Sequence, residues 1–148
     1  MNLVSGINHV AVVTADLDRF IDFYTHIFDM SIVFQETTPN FCHAILRAGS
    51  TSLLHAAELP DNVYSSALPE IFQRGHLDHI ALSVLTVSSF EVIRHRLLER
   101  NVSDGEIADI GPMRCLWFSD PDGMQVEVCL ITDATLQGFH QPQPSEAA

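Results

Sequence analysis

The chain has 148 residues, of which 47% are hydrophobic and 18% are charged, a composition typical of one globular domain. Its formal charge is −12, from 7 basic against 19 acidic residues, which argues against nucleic acid and anionic membranes as partners, since both need a basic footprint. No apolar run is long enough to span a membrane and the N-terminus lacks a signal-peptide pattern, so we expect a cytoplasmic protein.

The first part of the chain is predicted to form a β-α-β-β-β unit. Residues 7–14 are rich in β-branched side chains and indicate a strand. Thr14-Ala15-Asp16 offers oxygen side chains that cap a helix, and apolar residues then recur at three- and four-residue spacing from Leu17 to Phe28. Three strand-like runs follow, separated by Pro39-Asn40 and Gly49-Ser50: residues 31–36, 41–48 and 51–57.

Residues 59–76 break this pattern with prolines, a glycine and polar pairs, and we interpret them as a connector with a helical turn around residues 69–73. A second β-α-β-β-β unit begins with a strand at residues 79–86. A helix over residues 88–100 follows, capped by Ser88 or Ser89. Strands are expected near residues 106–110, 113–118 and 124–131, the last two joined by a hairpin turn at Ser119-Asp120-Pro121-Asp122-Gly123.

The chain as a whole, residues 1–148, is therefore expected to be a single domain. Its first module covers about residues 5–58, the connector about 59–76 and the second module about 77–132. The tail, about residues 135–148, carries little core material and is expected to be loose.

An echo at a spacing of seventy residues links the two modules. The phrase INHVAVV around His9 matches LDHIALS around His79, and Phe20 matches Phe90 at the same spacing. A fixed-period echo indicates a duplicated structural unit. The two histidines therefore occupy equivalent positions in two copies.

Strand alternation separates the polar from the apolar residues of these strands. His55 and Glu127 alternate with apolar residues in the fourth and eighth strands, His9 shares a face with Ala11 and Val13 in the first, and His79 opens the fifth. We expect the apolar faces to pack under the helices and the other faces to line a cavity. Three imidazoles and a carboxylate there would form a site for a first-row divalent metal, because neutral imidazole binds Zn, Ni, Fe or Mn.

Each of these residues also has a purely structural interpretation. A histidine in a strand is more often a hydrogen-bonded structural residue than a ligand, and a strand glutamate usually faces water. The duplication favours the metal site. By strand parity His43 is a further cavity candidate, whereas His95, between two arginines on a helix, is expected at the surface.

The three cysteines have no CxxC spacing, and each falls in a predicted strand. An odd number of strand cysteines favours buried free thiols in a reducing compartment over disulfides. We therefore expect Cys42, Cys115 and Cys129 to be free.

Three phrases of the chain, taken in order, resemble the vicinal oxygen chelate superfamily. This group includes glyoxalase I, fosfomycin-resistance enzymes, methylmalonyl-CoA epimerase, extradiol dioxygenases and bleomycin-resistance proteins. The phrases are INHVAVVTADLDRFIDFYTHIFDM, HLDHIALSV and FSDPDGMQVEV, and the resemblance covers residues 5–132. It implies an α+β fold in which two βαβββ modules form an open, cupped mixed β-sheet barrel around a metal.

The same resemblance implies His9, His79 and Glu127 as metal ligands. The fourth-strand position, a glutamate in glyoxalase I and a glutamine in the epimerase, is His55 here. This departure argues against glyoxalase I itself, which has carboxylates at both pseudo-symmetric positions. If His55 ligates, fewer metal positions stay open, which favours lyase or isomerase chemistry. If it only lines the pocket, it becomes an acid or base in a dioxygenase with a facial triad of two histidines and a carboxylate.

We therefore expect a divalent-metal-dependent enzyme that acts on a small oxygen-chelating substrate, with glyoxalase-like lyase or isomerase chemistry favoured. The metal, Fe, Ni, Zn, Mn or Co, would act as a Lewis acid, with Glu127 and His55 as catalytic residues. One alternative is an extradiol-type dioxygenase with iron. Others are a non-catalytic, bleomycin-resistance-like protein that sequesters a cationic antibiotic, and a metal-stabilised ligand sensor. A homodimer is expected, with modules that pair within or between chains.

Overall fold

The first unit of the chain contains one helix and a four-stranded mixed sheet. The computed structural model describes residues 8–39, 41–60, 77 and 79–135. The strand order is β1-β4-β3-β2, in which β1 and β4 are parallel and the other pairs antiparallel. The elements are β1 (His9–Val13), α1 (Leu17–Phe28), β2 (Ser31–Thr38), β3 (Phe41–Ala48) and β4 (Ser52–Glu58).

The second unit repeats this arrangement. Its strand order is β5-β8-β7-β6, again with the first and last strands parallel and the other pairs antiparallel. The predicted α+β fold of two βαβββ modules is thus confirmed. The elements are β5 (Ile80–Val84), α2 (Val87–Glu99), β6 (Ile107–Asp109), β7 (Met113–Ser119) and β8 (Gln125–Ile131).

The boundary of the two units does not follow the chain alone. One unit comprises Met1–Pro69 together with Pro121–Gly123, and the other comprises Glu70–Asp120 and Met124–Ala148. The expected helical turn in the connector and nearly all of the C-terminal tail lie outside the described residues. Among the described residues, neither helix is long and apolar enough to cross a membrane.

The duplication extends to the register of the strands. Ala11 of β1 pairs with His55 of β4, and Ala81, seventy residues later, pairs with Glu127 of β8. His9 and His79 each stand two residues before the paired alanine. Two parallel pairings with matched register are what a duplicated unit requires, so the echo in the sequence corresponds to a repeat in the backbone.

Helix α1 covers the apolar face of its sheet. Asp16 is the N-cap residue, and its side chain accepts a hydrogen bond from the Arg19 backbone N–H. The helix contacts β3 and β4, whose inward residues Leu46 and Leu54 are buried. Burial of each large apolar side chain in this layer stabilises the fold by about 1.5–3 kcal/mol. The helix buries the predicted apolar stripe: Leu17, Phe20, Phe23, Tyr24 and Ile27.

Helix α2 begins one residue earlier than the sequence indicated, and its cap differs. Thr86, not Ser88 or Ser89, is the N-cap residue, and its Oγ1 accepts a hydrogen bond from the Ser89 backbone N–H at 3.1 Å. An N-cap needs extended backbone, which Thr86 has, whereas both serines already lie in the first helical turn. The buried residues of α2 are the predicted ones: Phe90, Ile93 and Leu97.

Several strand boundaries also shift by one or two residues. Strand β5 begins at Ile80, so His79 precedes the strand instead of opening it. Strand β1 covers His9–Val13, so it ends one residue before the predicted end at Thr14. These shifts occur where hydrogen-bonded pairing stops, which residue types alone do not specify.

The turn motif at residues 119–123 does more than connect β7 and β8. The Asp122 carboxylate accepts hydrogen bonds from the Thr14 hydroxyl at 2.6 Å, the Ala15 backbone N–H at 2.9 Å and the Arg19 guanidinium at 2.8 Å. Its side chain is only 6% exposed. Together with Glu58, which accepts from the Leu17 backbone N–H at 2.7 Å, it satisfies backbone donors at the start of α1.

We predict that Asp122→Ala lowers the free energy of unfolding by about 2–4 kcal/mol, because it removes a buried carboxylate that holds these donors. Urea unfolding followed by circular dichroism measures the change. Asp104→Ala is the matched control, since this exposed aspartate accepts from the Glu106 backbone N–H in a local turn. Equal losses in the two variants would refute a special role for Asp122.

Candidate functional site

The first unit brings two predicted site residues together. His9 lies at the exposed start of β1, with its Nδ1 2.9 Å from the Asn8 side-chain oxygen. Its ring and the His55 ring have centroids 6.1 Å apart, in an edge-on arrangement. His55 is half-buried on β4, on the face opposite the buried Leu54 and Ala56. Strand alternation therefore puts both imidazoles on the face that the helix leaves open.

His43 is the partner that orients His55. Its Nδ1 lies 2.9 Å from His55 Nε2, and its Nε2 lies 3.2 Å from the Glu36 carboxylate. A neutral His43 satisfies both contacts in one tautomer, donating Nε2–H to Glu36 and accepting the His55 Nε2–H at its Nδ1. That tautomer leaves the lone pair of His55 on Nδ1. Glu36, His43 and His55 thus form a chain of hydrogen bonds across β2, β3 and β4.

Burial lowers the pKa of His55 below its usual value, and repulsion from His43 and His9 lowers it further. A lowered pKa keeps the imidazole neutral at physiological pH. The neutral ring is the form that ligates a metal or accepts a proton. The environment of His55 therefore suits a ligand or a base.

The second unit brings the other two predicted residues together. Glu127 lies on β8 and is 4% exposed, and its Oε2 is 3.8 Å from His79 Nε2. The indole of Trp117, whose backbone pairs with that of Glu127, meets the His79 ring edge-on at a centroid distance of 4.8 Å. A carboxylate and an imidazole are two ligand types that first-row divalent metals bind, so this pair provides two of the four predicted ligands.

Two buried thiols lie beside that carboxylate. Cys115 and Cys129 are free, as predicted, and their Sγ atoms are 3.6 Å apart. Possible ligand atoms of Cys115, Glu127 and Cys129 all lie within 4.8 Å of one another. Burial and, after it, the Glu127 carboxylate raise the pKa of both thiols, and together they bring that of Cys129 to about 11. Both thiols are therefore protonated at neutral pH.

The sequence indicates the individual members of these groups better than it indicates their partners. It gives no signal for Glu36, because the pairing of Glu36 with His43 depends on how β2 and β3 align, and a register irregularity between Ile32 and Phe34 shifts that alignment. The cysteine pair had a usable signal. A hairpin centred on the predicted turn, at Asp122, places Cys115 opposite Cys129, as observed.

Each unit thus supplies one histidine before or at its first strand and one polar residue on its last strand. These are His9 with His55, and His79 with Glu127. Neutral imidazoles and a buried carboxylate are suitable ligands for a first-row divalent ion. That the four bind one ion stays a prediction.

A family model described as the glyoxalase/bleomycin resistance protein/dioxygenase superfamily matches residues 6–128. Among solved structures, the chain is similar to a glyoxylase/bleomycin resistance protein/dioxygenase domain from Frankia sp. EAN1pec, with 22% identity, a TM-score of 0.76 and coverage of 86% of this chain and 98% of that one. It is also similar to a glyoxalase family protein from Enterococcus faecalis, with 18% identity, a TM-score of 0.65 and coverage of 84% and 97%.

A third similar structure contains a metal. It is a glutamate-to-glutamine mutant of the fosfomycin resistance protein FosX from Listeria monocytogenes, in complex with Mn(II) and 1S,2S-dihydroxypropylphosphonic acid. The identity is 17% and the TM-score 0.62, with coverage of 88% of this chain and 95% of that one. At these identities the three structures establish the fold alone.

Proposed function

Because the chain belongs to the glyoxalase/bleomycin resistance protein/dioxygenase superfamily, we propose that it is a divalent-metal-dependent enzyme acting on a small substrate that chelates the metal through adjacent oxygens. Glyoxalase-like lyase or isomerase chemistry is the favoured reaction class. The observation that carries the proposal is the matched register: His55 and Glu127 occupy equivalent positions of two duplicated sheets, each in the same unit as a histidine of the seventy-residue echo.

The proposed ligands are His9, His79 and Glu127, with His55 as the fourth ligand or as an acid/base group. The donor chemistry fits a divalent ion, since the lowered pKa of His55 favours its neutral form and Glu127 is a buried carboxylate. Fe, Ni, Zn, Mn and Co all accept such a set. The Mn(II) in the similar FosX structure makes manganese the first ion to test.

When bound, the metal supplies Lewis-acid stabilisation of negative charge on a substrate oxygen. Proton transfer is assigned to residues of the protein. Glu127 is largely shielded from bulk water, so its carboxylate is suited to exchange a proton with a bound substrate rather than with solvent. His55, oriented through His43 and Glu36, presents the lone pair on Nδ1 and so holds or accepts a proton at that atom. These two residues are the proposed proton carriers.

The proposal predicts that the purified chain holds one divalent ion and that His79→Ala weakens Mn(II) binding at least about 100-fold, more than the loss typical of an outer-shell partner. Isothermal titration with manganese and elemental analysis by mass spectrometry measure both. His95→Ala is the matched control, because this exposed histidine lies on α2, where its Nε2 is 3.2 Å from the Glu99 carboxylate. A metal-free protein whose ligand binding is unchanged by His79→Ala would exclude the proposal.

Turnover identifies the reaction class. A panel of 2-oxoaldehyde–thiol adducts, epoxides and catechols, each with the bound metal, separates lyase or isomerase chemistry from dioxygenase chemistry. The extradiol-type alternative has one observation in its favour: the Glu36–His43–His55 chain of hydrogen bonds also suits an acid/base role of His55, which would leave His9, His79 and Glu127 as a facial triad. Oxygen consumption with catechols and Fe(II) would support that alternative.

The orientation of His55 gives a second test. His43→Leu removes the partner of His55, whereas His43→Asn keeps a polar group near the Nδ1 position. We expect His43→Leu to weaken binding of Co(II) or Mn(II) about 10–100-fold, as loss of an outer-shell partner does, and His43→Asn to recover part of it. The visible spectrum of the Co(II) form should change in parallel. If His43→Leu leaves affinity, spectrum and turnover unaltered, His43 does not orient His55 as a ligand or as an acid/base group.

We also propose that the chain is a cytoplasmic homodimer. Three consecutive apolar residues of β2, Ile32, Val33 and Phe34, are each almost half exposed, and β2 is an edge strand of its sheet. Exposed apolar edges are commonly covered by a partner, and a second copy of the chain is the proposed one.

The dimer makes a simple prediction about mass. Val33→Lys puts a charge into the exposed apolar segment and should shift the chain toward monomer, whereas Thr37→Lys on the same exposed strand should not. Light scattering coupled to size exclusion measures the mass of each variant. A wild-type chain that is monomeric at high micromolar concentration would contradict the proposal.

A further inference from the structure

A compact group of sulfur and oxygen ligands lies within the second unit. Cys115 of β7 and Cys129 of β8 are paired across the two antiparallel strands, and Glu127 lies two residues before Cys129 on the same face. The exposed fractions are 1% for Cys115, 9% for Cys129 and 4% for Glu127. The group is therefore preorganised by the sheet and shielded from water.

The separation of the two sulfurs matches that of two ligands on a tetrahedral metal. With metal–sulfur bonds of about 2.3 Å, two thiolates on one tetrahedral ion stand about 3.8 Å apart. The observed separation of the Cys115 and Cys129 sulfurs is 3.6 Å. Possible ligand atoms of the three residues lie within 4.8 Å of one another, so small side-chain movements bring all of them to bonding distance.

We propose that Cys115, Cys129 and Glu127 form a binding site for a thiophilic divalent cation of the zinc group. Thiolate ligands select zinc and cadmium over magnesium, calcium and manganese. Binding releases two protons: each thiol S–H bond is replaced by a metal–sulfur bond, and the carboxylate binds through oxygen. No electron is transferred. The thiol site stands independently of the proposed function.

Occupation of this site would affect the proposed enzyme. Glu127 is a proposed ligand in both sites, so a zinc ion bound by the two thiols competes for this carboxylate with the ion of the proposed function. A thiophilic metal would act on this chain as an antagonist of its working metal.

The wild-type chain itself provides the first test, with no risk of a misfolded variant. The full-length protein, reduced and freed of metal, is loaded with one equivalent of Zn(II) and measured by X-ray absorption at the zinc edge. We expect two sulfur neighbours at about 2.3 Å and lighter neighbours at about 2.0–2.2 Å. A shell of nitrogen and oxygen alone would overturn the inference.

Variants provide the second test. Titration of the reduced chain with Cd(II) should develop the ultraviolet charge-transfer absorption of a cadmium–thiolate bond, saturating at one equivalent. Cys115→Ala and Cys129→Ala should each weaken binding at least about tenfold, since each removes a ligand. Cys42→Ser is the matched control, since Cys42 lies on β3 of the other unit and should leave the absorption unchanged. Full absorption in the double variant that lacks both Cys115 and Cys129 would refute the site.

The tests separate this site from the proposed function. A His9→Gln variant that keeps its cadmium–thiolate absorption but binds Mn(II) poorly supports both proposals. Mn(II) binding that needs His79, together with zinc surrounded only by nitrogen and oxygen, overturns the thiol site and leaves the enzyme proposal standing. Zinc with two sulfur neighbours in a chain that never binds Mn(II) supports the thiol site and overturns the enzyme proposal.

Discussion

The architecture of both units follows from the parallel pairing of the first strand with the last. In the first unit the pairing aligns Ala11 with His55, and in the second it aligns Ala81 with Glu127. A parallel pair needs a long crossover, which here contains the helix and two further strands. The helix covers one face of each sheet, so only the opposite face is left for polar side chains.

The duplicated frame carries two different chemistries. In the first unit the last strand presents a half-buried imidazole, which Glu36 and His43 orient through two hydrogen bonds. In the second, the equivalent position is a buried carboxylate beside an imidazole and two thiols. A buried carboxylate needs polar partners, and Glu127 has them in His79 and the two thiols. The asymmetry between His55 and Glu127 therefore arises within a symmetric backbone.

The turn that carries Asp122 illustrates how one short motif serves two purposes. Its local role is to close the hairpin between β7 and β8, with Asp120 accepting from the Met124 backbone N–H. Its distant role is to satisfy donors at the start of α1 through three hydrogen bonds. A buried carboxylate with three donors resists substitution far more than an exposed turn residue does.

The order of residues was enough to predict the α+β class, the succession of elements and the two apolar helix faces, because periodicity is a local property of the chain. It also predicted the equivalence of His9 with His79, because a repeat is visible in the sequence itself. Strand alternation also predicted the open-face positions of His55 and Glu127. Most partners became known from the folded chain: His43 and Glu36 for His55, and Thr14 and Arg19 for Asp122. The pairing of Cys115 with Cys129 is the exception, because the predicted turn already implies it. Partners depend on register between strands and on contacts between distant segments, and neither is encoded in the spacing of residues along one strand.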